Sequence, residues 1–207
     1  MITIVDYNGG NLRSVKRACD AVGIDSVFTS DPEAVAAADR IIFPGVGHAK
    51  AAMSTLRQSG LAEAMKTVHE RGVPILGICV GAQLILDSCE EGPTDGLGLI
   101  PGQTRRFNLS DRSLKIPHMG WNEVRPTSDH PLLGGIRPGD AFYFVHSYFP
   151  CPTSNSDVFA ETDYPEAFCC ALGRDNLFAT QFHPEKSGRL GLELLARFAS
   201  WNGSAQA

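Results

Sequence analysis

Ile2-Thr3-Ile4-Val5, Ser26-Val27-Phe28, Ile41-Ile42-Phe43 and Val73-Pro74-Ile75-Leu76-Gly77-Ile78 are short apolar runs that do not alternate with polar residues. A strand with one wet face alternates, so runs of this kind belong to a parallel sheet covered on both faces. Between them lie stretches with helical spacing at 11–22, 31–37, 49–58 and 61–71, the rhythm of stacked βαβ units. Ser30-Asp31-Pro32-Glu33 predicts a helix start with Ser30 as N-cap and proline in the first turn, and Gly72 closes the helix before the fourth strand. The expected fold class is α/β, an open, mostly parallel sheet with helices on both faces. Ligands of such a sheet gather at the carboxyl ends of its strands.

The second half changes character. Turn signals fall at Pro101-Gly102, Pro117, Pro126, Pro131, Gly134-Gly135 and Pro138-Gly139, and β-rich runs at 141–146, 157–162, 168–172 and 177–182. These runs are expected to extend the same sheet with antiparallel or mixed strands. A last helix over 188–200 carries Leu190, Leu194, Leu195 and Phe198 at helical spacing. No linker divides the chain, so residues 1–202 are read as a single domain and 203–207 as a short polar tail.

Lys plus Arg number 18 against 23 for Asp plus Glu, a formal charge of −5, with no basic run. Nucleic acid and anionic membranes are poor partners for such a surface. No apolar stretch approaches the roughly 20 residues that cross a bilayer, and the opening MITIVDYN has no basic region before its apolar run. A cytoplasmic location is expected. Six cysteines, at 19, 79, 89, 151, 169 and 170, form no CxxC pair and no regular framework, which suits a reducing compartment and argues against a metal site.

Gly77-Ile78-Cys79-Val80-Gly81 stands where a buried strand hands over to a helix that Ala82-Gln83-Leu84-Ile85-Leu86 would continue. It is the cysteine form of the G-x-S-x-G elbow, in which flanking glycines allow a sharp turn that lifts the nucleophile clear of the sheet. A helix N-terminus there favours the thiolate. The other cysteines read as packing residues, Cys19 and Cys89 in or beside helices and Cys169-Cys170 in a strand. A thiolate mechanism needs a histidine and a group to orient it. His48, His69 and His130 read as surface residues; His118 precedes a Met-Gly-Trp turn, and His146 ends a strand. In Gln181-Phe182-His183-Pro184-Glu185, proline biases His183 towards an extended backbone, where residues two apart share a side, so His183 and Glu185 pair as base and orienting carboxylate. Phe43-Pro44-Gly45-Val46-Gly47 ends at the same sheet edge, and its small residues would let backbone N–H groups reach a substrate oxygen. Asn8-Gly9-Gly10-Asn11 has neither the spacing of a dinucleotide fingerprint nor a P-loop lysine.

In combination, PGVG, GICVGAQ and QFHPEK in that order resemble a class I, triad-type glutamine amidotransferase over essentially the whole chain. DYNGGN, PHMGWN and YFVHSY narrow the resemblance to the glutaminase subunits of imidazole glycerol phosphate synthases; Ala82 departs from the bulkier residue usual there. The resemblance implies a flavodoxin-like core, a Cys79-His183-Glu185 triad, and an oxyanion site at Val80 and the Val46-Gly47 loop. It implies that L-glutamine is held by Gln83, Gly45, His146, Ser147 and Tyr148, without cofactor or metal. It further implies a (β/α)8-barrel synthase subunit as partner in a heterodimer, met by Asn11, Met119, Trp121, Asn122 and Lys186. An unpartnered glutaminase would waste glutamine, so the Gly45-Val46-Gly47 loop is expected to rest with its oxyanion donor misdirected. Three other readings stay open at this point: the glutaminase of a chorismate-using synthase, a non-catalytic module on the same fold, and a cysteine peptidase or γ-glutamyl hydrolase.

Overall fold

The computed structural model describes residues 1–109 and 114–204. In chain order its elements are β1 (Ile2–Val5), α1 (Leu12–Ala21), β2 (Ser26–Thr29), α2 (Pro32–Ala36), β3 (Ile41–Gly45), α3 (Ala49–Gln58), α4 (Leu61–Glu70), β4 (Ile75–Cys79) and α5 (Val80–Leu84). There follow β5 (Leu86–Cys89), β6 (Thr94–Asp95), β7 (Ile100–Arg106), β8 (His118–Glu123), β9 (Arg125–Pro126), β10 (Ala141–His146) and β11 (Tyr148–Pro152). The last are β12 (Val158–Asp163), β13 (Ala167–Arg174), β14 (Leu177–Thr180) and α6 (Gly188–Ser200).

The main sheet has the order β2-β1-β3-β4-β14-β13-β12-β9; its first five strands run parallel and the remaining pairs are antiparallel. Strand order reverses at β1, and right-handed crossovers therefore put α1 on one face and α2, α3 and α4 on the other. The packing agrees: α1 lies against α6, while α4 packs on both α2 and α3. The central strands β1, β3, β4 and β14 are wholly buried, as their unbroken apolar runs require. Four neighbouring strands thus deliver four loops to one carboxyl edge, next to the switch point between β1 and β3 where ligands of open α/β sheets bind.

Several sequence expectations need correction. The side chain that caps α2 is Asp31, accepting from the Glu33 N–H at 3.0 Å, and not Ser30. β2 is an edge strand with Val27 and Phe28 exposed, so it is not covered on both faces. The helix after Cys79 stops at Leu84. The carbonyls of Leu84 and Ile85 accept instead from the N–H groups of Leu97, Leu99 and Ile100, and Leu86 opens a strand that also contains Cys89. The 141–146 run does not join the main sheet. β9 pairs with β12 at only two positions, Arg125 with Glu161 and Pro126 with Ala160; the Val124 N–H bonds the Asp140 carbonyl instead, and the preceding stretch pairs with β10 as a separate two-stranded sheet. Met119-Gly120-Trp121 is consequently strand, not turn. His130 is buried against Phe178 and Trp201 instead of lying on the surface. Of the expected polar tail, Ser204 accepts from Trp201 Nε1 at 2.6 Å, and residues 205–207 lie outside the described part.

Candidate active site

The elbow is built as its glycines require. Cys79 has φ 55 and ψ −107, a strained conformation for a residue with a side chain. A Cβ on Gly81 would stand 1.9 Å from the Phe43 carbonyl oxygen, and one on Gly77 2.9 Å from Ala179 Cβ. The elbow can therefore sit tight between β3 and β14 only with glycine on both sides.

His183 follows β14, its N–H bonded to the Tyr143 carbonyl at 2.9 Å and its own carbonyl accepting from Ser187 Oγ at 2.6 Å. The turn Pro184–Lys186 is a single 3-10 turn, not the extended segment expected, yet it delivers the same pair: His183 Nδ1 donates to Glu185 Oε1 at 2.7 Å, with both side chains buried. With Nδ1 so engaged, Nε2 has no partner among the described residues. Burial by itself would lower the imidazole's pKa, but interaction with Cys79 and Glu185 outweighs it and lifts the value to about 10. Asn11, expected at a partner surface, turns its amide onto the same carboxylate, Nδ2 to Glu185 Oε1 at 2.5 Å, from a left-handed backbone with φ 63.

Beside Cys79 lies a cavity of about 260 Å³. Val46, Gly47, Val80, Gln83, His146, Ser147 and Tyr148 line it together with Cys79. Gly45 does not face it. A Cβ there would stand 1.9 Å from Tyr7 Oη, so the residue is glycine because the buried Tyr7 ring lies against it. Glu91, Pro117 and Val145 are additional wall residues; Pro117 and Val145 fall in the PHMGWN and YFVHSY segments, and Glu91 lies outside the motifs. Among the described residues Glu91 is the sole carboxylate on the wall, held by the Ala49 N–H at 2.7 Å; its one sequence signal is an acidic pair ahead of Gly92.

The two backbone N–H groups expected at an oxyanion site differ in their surroundings. The Val80 N–H follows the nucleophile at the start of α5. The Val46 N–H is bonded to the Gly9 carbonyl at 2.8 Å and is thus turned away from the cavity. That bond holds the Gly45-Val46-Gly47 loop in this orientation.

Strands β8 and β10 alternate across their two faces. His118, Phe142, Phe144 and His146 point inward and are buried, while Met119 and Trp121 point outward with 62% and 59% exposure. Trp121 meets Tyr143 edge-on, and Lys186 Nζ stands 5.9 Å from the same ring. Asn122 faces the buried side and bonds His118, unlike the exposed pair with which it was grouped.

The family model for class-I glutamine amidotransferases matches residues 3–200. The chain belongs to the class I glutamine amidotransferase family. It is similar to the imidazole glycerol phosphate synthase subunit HisH of Chromobacterium violaceum, at 48% identity over 98% of this chain and 99% of that protein. The protein of the same name in Neisseria meningitidis serogroup A is 47% identical over 96% of this chain and 98% of its own length. Among solved structures, a glutamine amidotransferase superposes with TM-score 0.76 at 17% identity, covering 99% of this chain and 100% of that one. The glutaminase domain of Trypanosoma brucei CTPS with bound acivicin gives 0.67 at 17% identity, covering 96% and 93%. At those identities the likeness is one of fold, and within it the amidotransferase α/β sheet is the frame just described.

Proposed function

We propose that this chain is the glutaminase subunit of an imidazole glycerol phosphate synthase, which hydrolyses L-glutamine through a Cys79 thioester and passes ammonia to a (β/α)8-barrel synthase subunit in histidine biosynthesis. The observation that carries the site assignment is the buried His183–Glu185 pair set behind the strained Cys79 elbow, at a cavity with room for an amino acid. The near-full-length similarity to HisH proteins supports the choice of synthase over a chorismate-using one.

Glutamine enters with its carboxamide carbon against Cys79 Sγ. Gln83 and the Ser147-Tyr148 segment hold its amino-acid end, and Glu91 takes the α-ammonium. Thiolate attack moves charge onto the amide oxygen, which the Val80 N–H stabilises, joined by the Val46 N–H once that peptide turns inward. His183, with its pKa raised to about 10, is protonated at neutral pH and gives its proton to the departing nitrogen. The thiolate's charge has by then gone into the thioester, so one of the two supports of that high value is lost. The imidazole becomes a base able to activate the water that releases glutamate, while Glu185 holds its tautomer.

A glutamine-like electrophile is expected to label Cys79 alone among the six cysteines, and Cys79→Ala to abolish glutamate release. The complex of that variant with the barrel synthase should still turn over free ammonium at high pH. Labelling at another cysteine overturns the nucleophile, and loss of the ammonium reaction overturns the division of labour.

A further inference from the structure

A chain of hydrogen bonds leads from strand β8, which does not line the cavity, through residues of the cavity wall to the nucleophile. Its direction follows from one carbonyl. Tyr148 O can only accept, so His146 Nδ1, 2.8 Å away, carries the hydrogen. His146 is buried and neutral, its pKa pushed down to about 3 first by desolvation, so its Nε2 must accept. The donor to it at 3.0 Å is His118 Nδ1. His118 Nε2 then accepts from Asn122 Nδ2 at 3.2 Å, and that amide is oriented by the Asp163 carbonyl and the Glu123 N–H. Beyond Tyr148 the chain continues. Gln83 Nε2 donates both to Tyr148 O and to Gln181 Oε1, each at 2.9 Å, and Gln181 Nε2 points at Cys79 Sγ at 3.7 Å. His118 is clamped between the rings of Phe144 and Tyr164 at 5.0 and 4.1 Å, so the donor it offers is fixed in direction.

We infer that His118 is a positioning residue for glutamine hydrolysis: through His146 it fixes the Tyr148 carbonyl, and thereby the Gln83 amide and the wall that holds the substrate. The inference rests on the glutaminase reading above. Without the His118 donor, His146 Nε2 is left unpaired in a dry site. Its cost is relieved only if the ring shifts towards another donor or water, and either movement pulls Nδ1–H off the Tyr148 carbonyl and loosens the wall. Ground-state binding suffers first, so the signature lies in KM.

The test uses the full chain assembled with the barrel synthase subunit, with the ammonium reaction as a control for assembly. His118→Phe keeps the ring stack and removes the donor, and is expected to raise the KM for glutamine about tenfold with less than about threefold change in kcat. His118→Asn sets an amide N–H near the Nδ1 position and should bring KM back to within about threefold of the parent. A normal KM in His118→Phe, or a His118→Asn variant as impaired as His118→Phe, overturns the inference. On the unaltered chain, ¹⁵N NMR of the rings should find His118 and His146 both neutral and in the Nδ1–H tautomer at pH 7, and the other tautomer or a charged ring overturns it without any variant. Absence of glutamine hydrolysis in the unaltered complex would instead sink the glutaminase reading itself.

Discussion

Val46→Pro separates the resting loop from the proposed working one, because proline lacks the N–H that bonds Gly9 in the first and is proposed to meet the oxyanion in the second. In the resting state that N–H is spent on the Gly9 carbonyl at 2.8 Å. Turning it inward gives up a hydrogen bond with a net value of about 0.5–1.5 kcal/mol and leaves the Gly9 oxygen unpaired, about 1–3 kcal/mol more. The sum, roughly 1.5–4.5 kcal/mol, spans the roughly 2.7–4 kcal/mol that one oxyanion donor returns in the transition state. An isolated chain therefore gains little by turning the peptide, and a partner that makes the turn for it should accelerate hydrolysis by about 10²–10³.

In Val46→Pro the stimulated rate should fall by that factor, towards the unstimulated one, while the unstimulated rate falls far less. Glycine before the new proline tolerates the backbone restriction it imposes. The assay is steady-state glutamate release with and without the barrel synthase carrying its ligand, and electrophile labelling of Cys79 checks that the elbow survives. An equal fall in both rates would mean that the donor already works in the isolated chain, and the gating argument fails. Stimulation that persists would mean that Val46 is not the donor.

Other expectations follow from buried groups. Glu185→Gln removes one of the two supports of the His183 imidazolium, so its titration midpoint, near 10 in the parent, should move down when followed by ring NMR; an unmoved midpoint would assign the whole effect to Cys79. His118, His130 and His146 have folded pKa values pushed down to about 4, 4 and 3 by burial, below the ordinary 6.5. Between those values the unfolded chain binds protons that the folded one does not. Stability is therefore complete above about pH 6.5 and is lost on acidification, at about 1.4 kcal/mol per pH unit for each ring. His130→Asn, which can still accept from the Leu132 N–H, should flatten the limb between pH 6.5 and 4.5 by about one proton in denaturant titrations, and an unchanged slope would refute the assignment. The Tyr7 hydroxyl is buried without a partner among the described residues, so Tyr7→Phe should raise unfolding stability by about 1 kcal/mol; a destabilised variant would show the hydroxyl to be satisfied. Trp121→Ala, which removes an exposed aromatic, should weaken association with the barrel synthase at least tenfold while leaving Cys79 labelling intact.

The parallel half of the fold was legible because burial on both faces writes itself into composition: β1, β3 and β4 could be located to within two residues from their apolar runs alone. β2 misled because Val27 and Phe28 read as core while the strand stands at the sheet's open edge. The second half was legible in strand positions and not in partners. Whether 141–146 joins the main sheet depends on the 118–126 stretch changing partner at Val124, from β10 to β12, and no local pattern reports contacts so far away in the chain.

The site divides along the same line. Cys79, His183 and Glu185 could be read because each sits in a short motif whose residue types are demanded by its own turn. Glu91, the Asn11 contact to Glu185 and the His118–His146 pair could not, since each depends on a partner 28 to 174 residues distant. Least legible are the groups that belong to the backbone. The Val46 N–H and the Tyr148 carbonyl would be there whatever side chains the sequence placed at those positions; what the sequence controls is where they point. That control is exercised at one remove, by a glycine that lets Tyr7 lie against the loop and by a tautomer passed along two imidazoles. Rate control in this chain is therefore expected to sit in residues that react with nothing, and variants at 7, 46 and 118 should change how the site is switched while Cys79 keeps its capacity to be labelled.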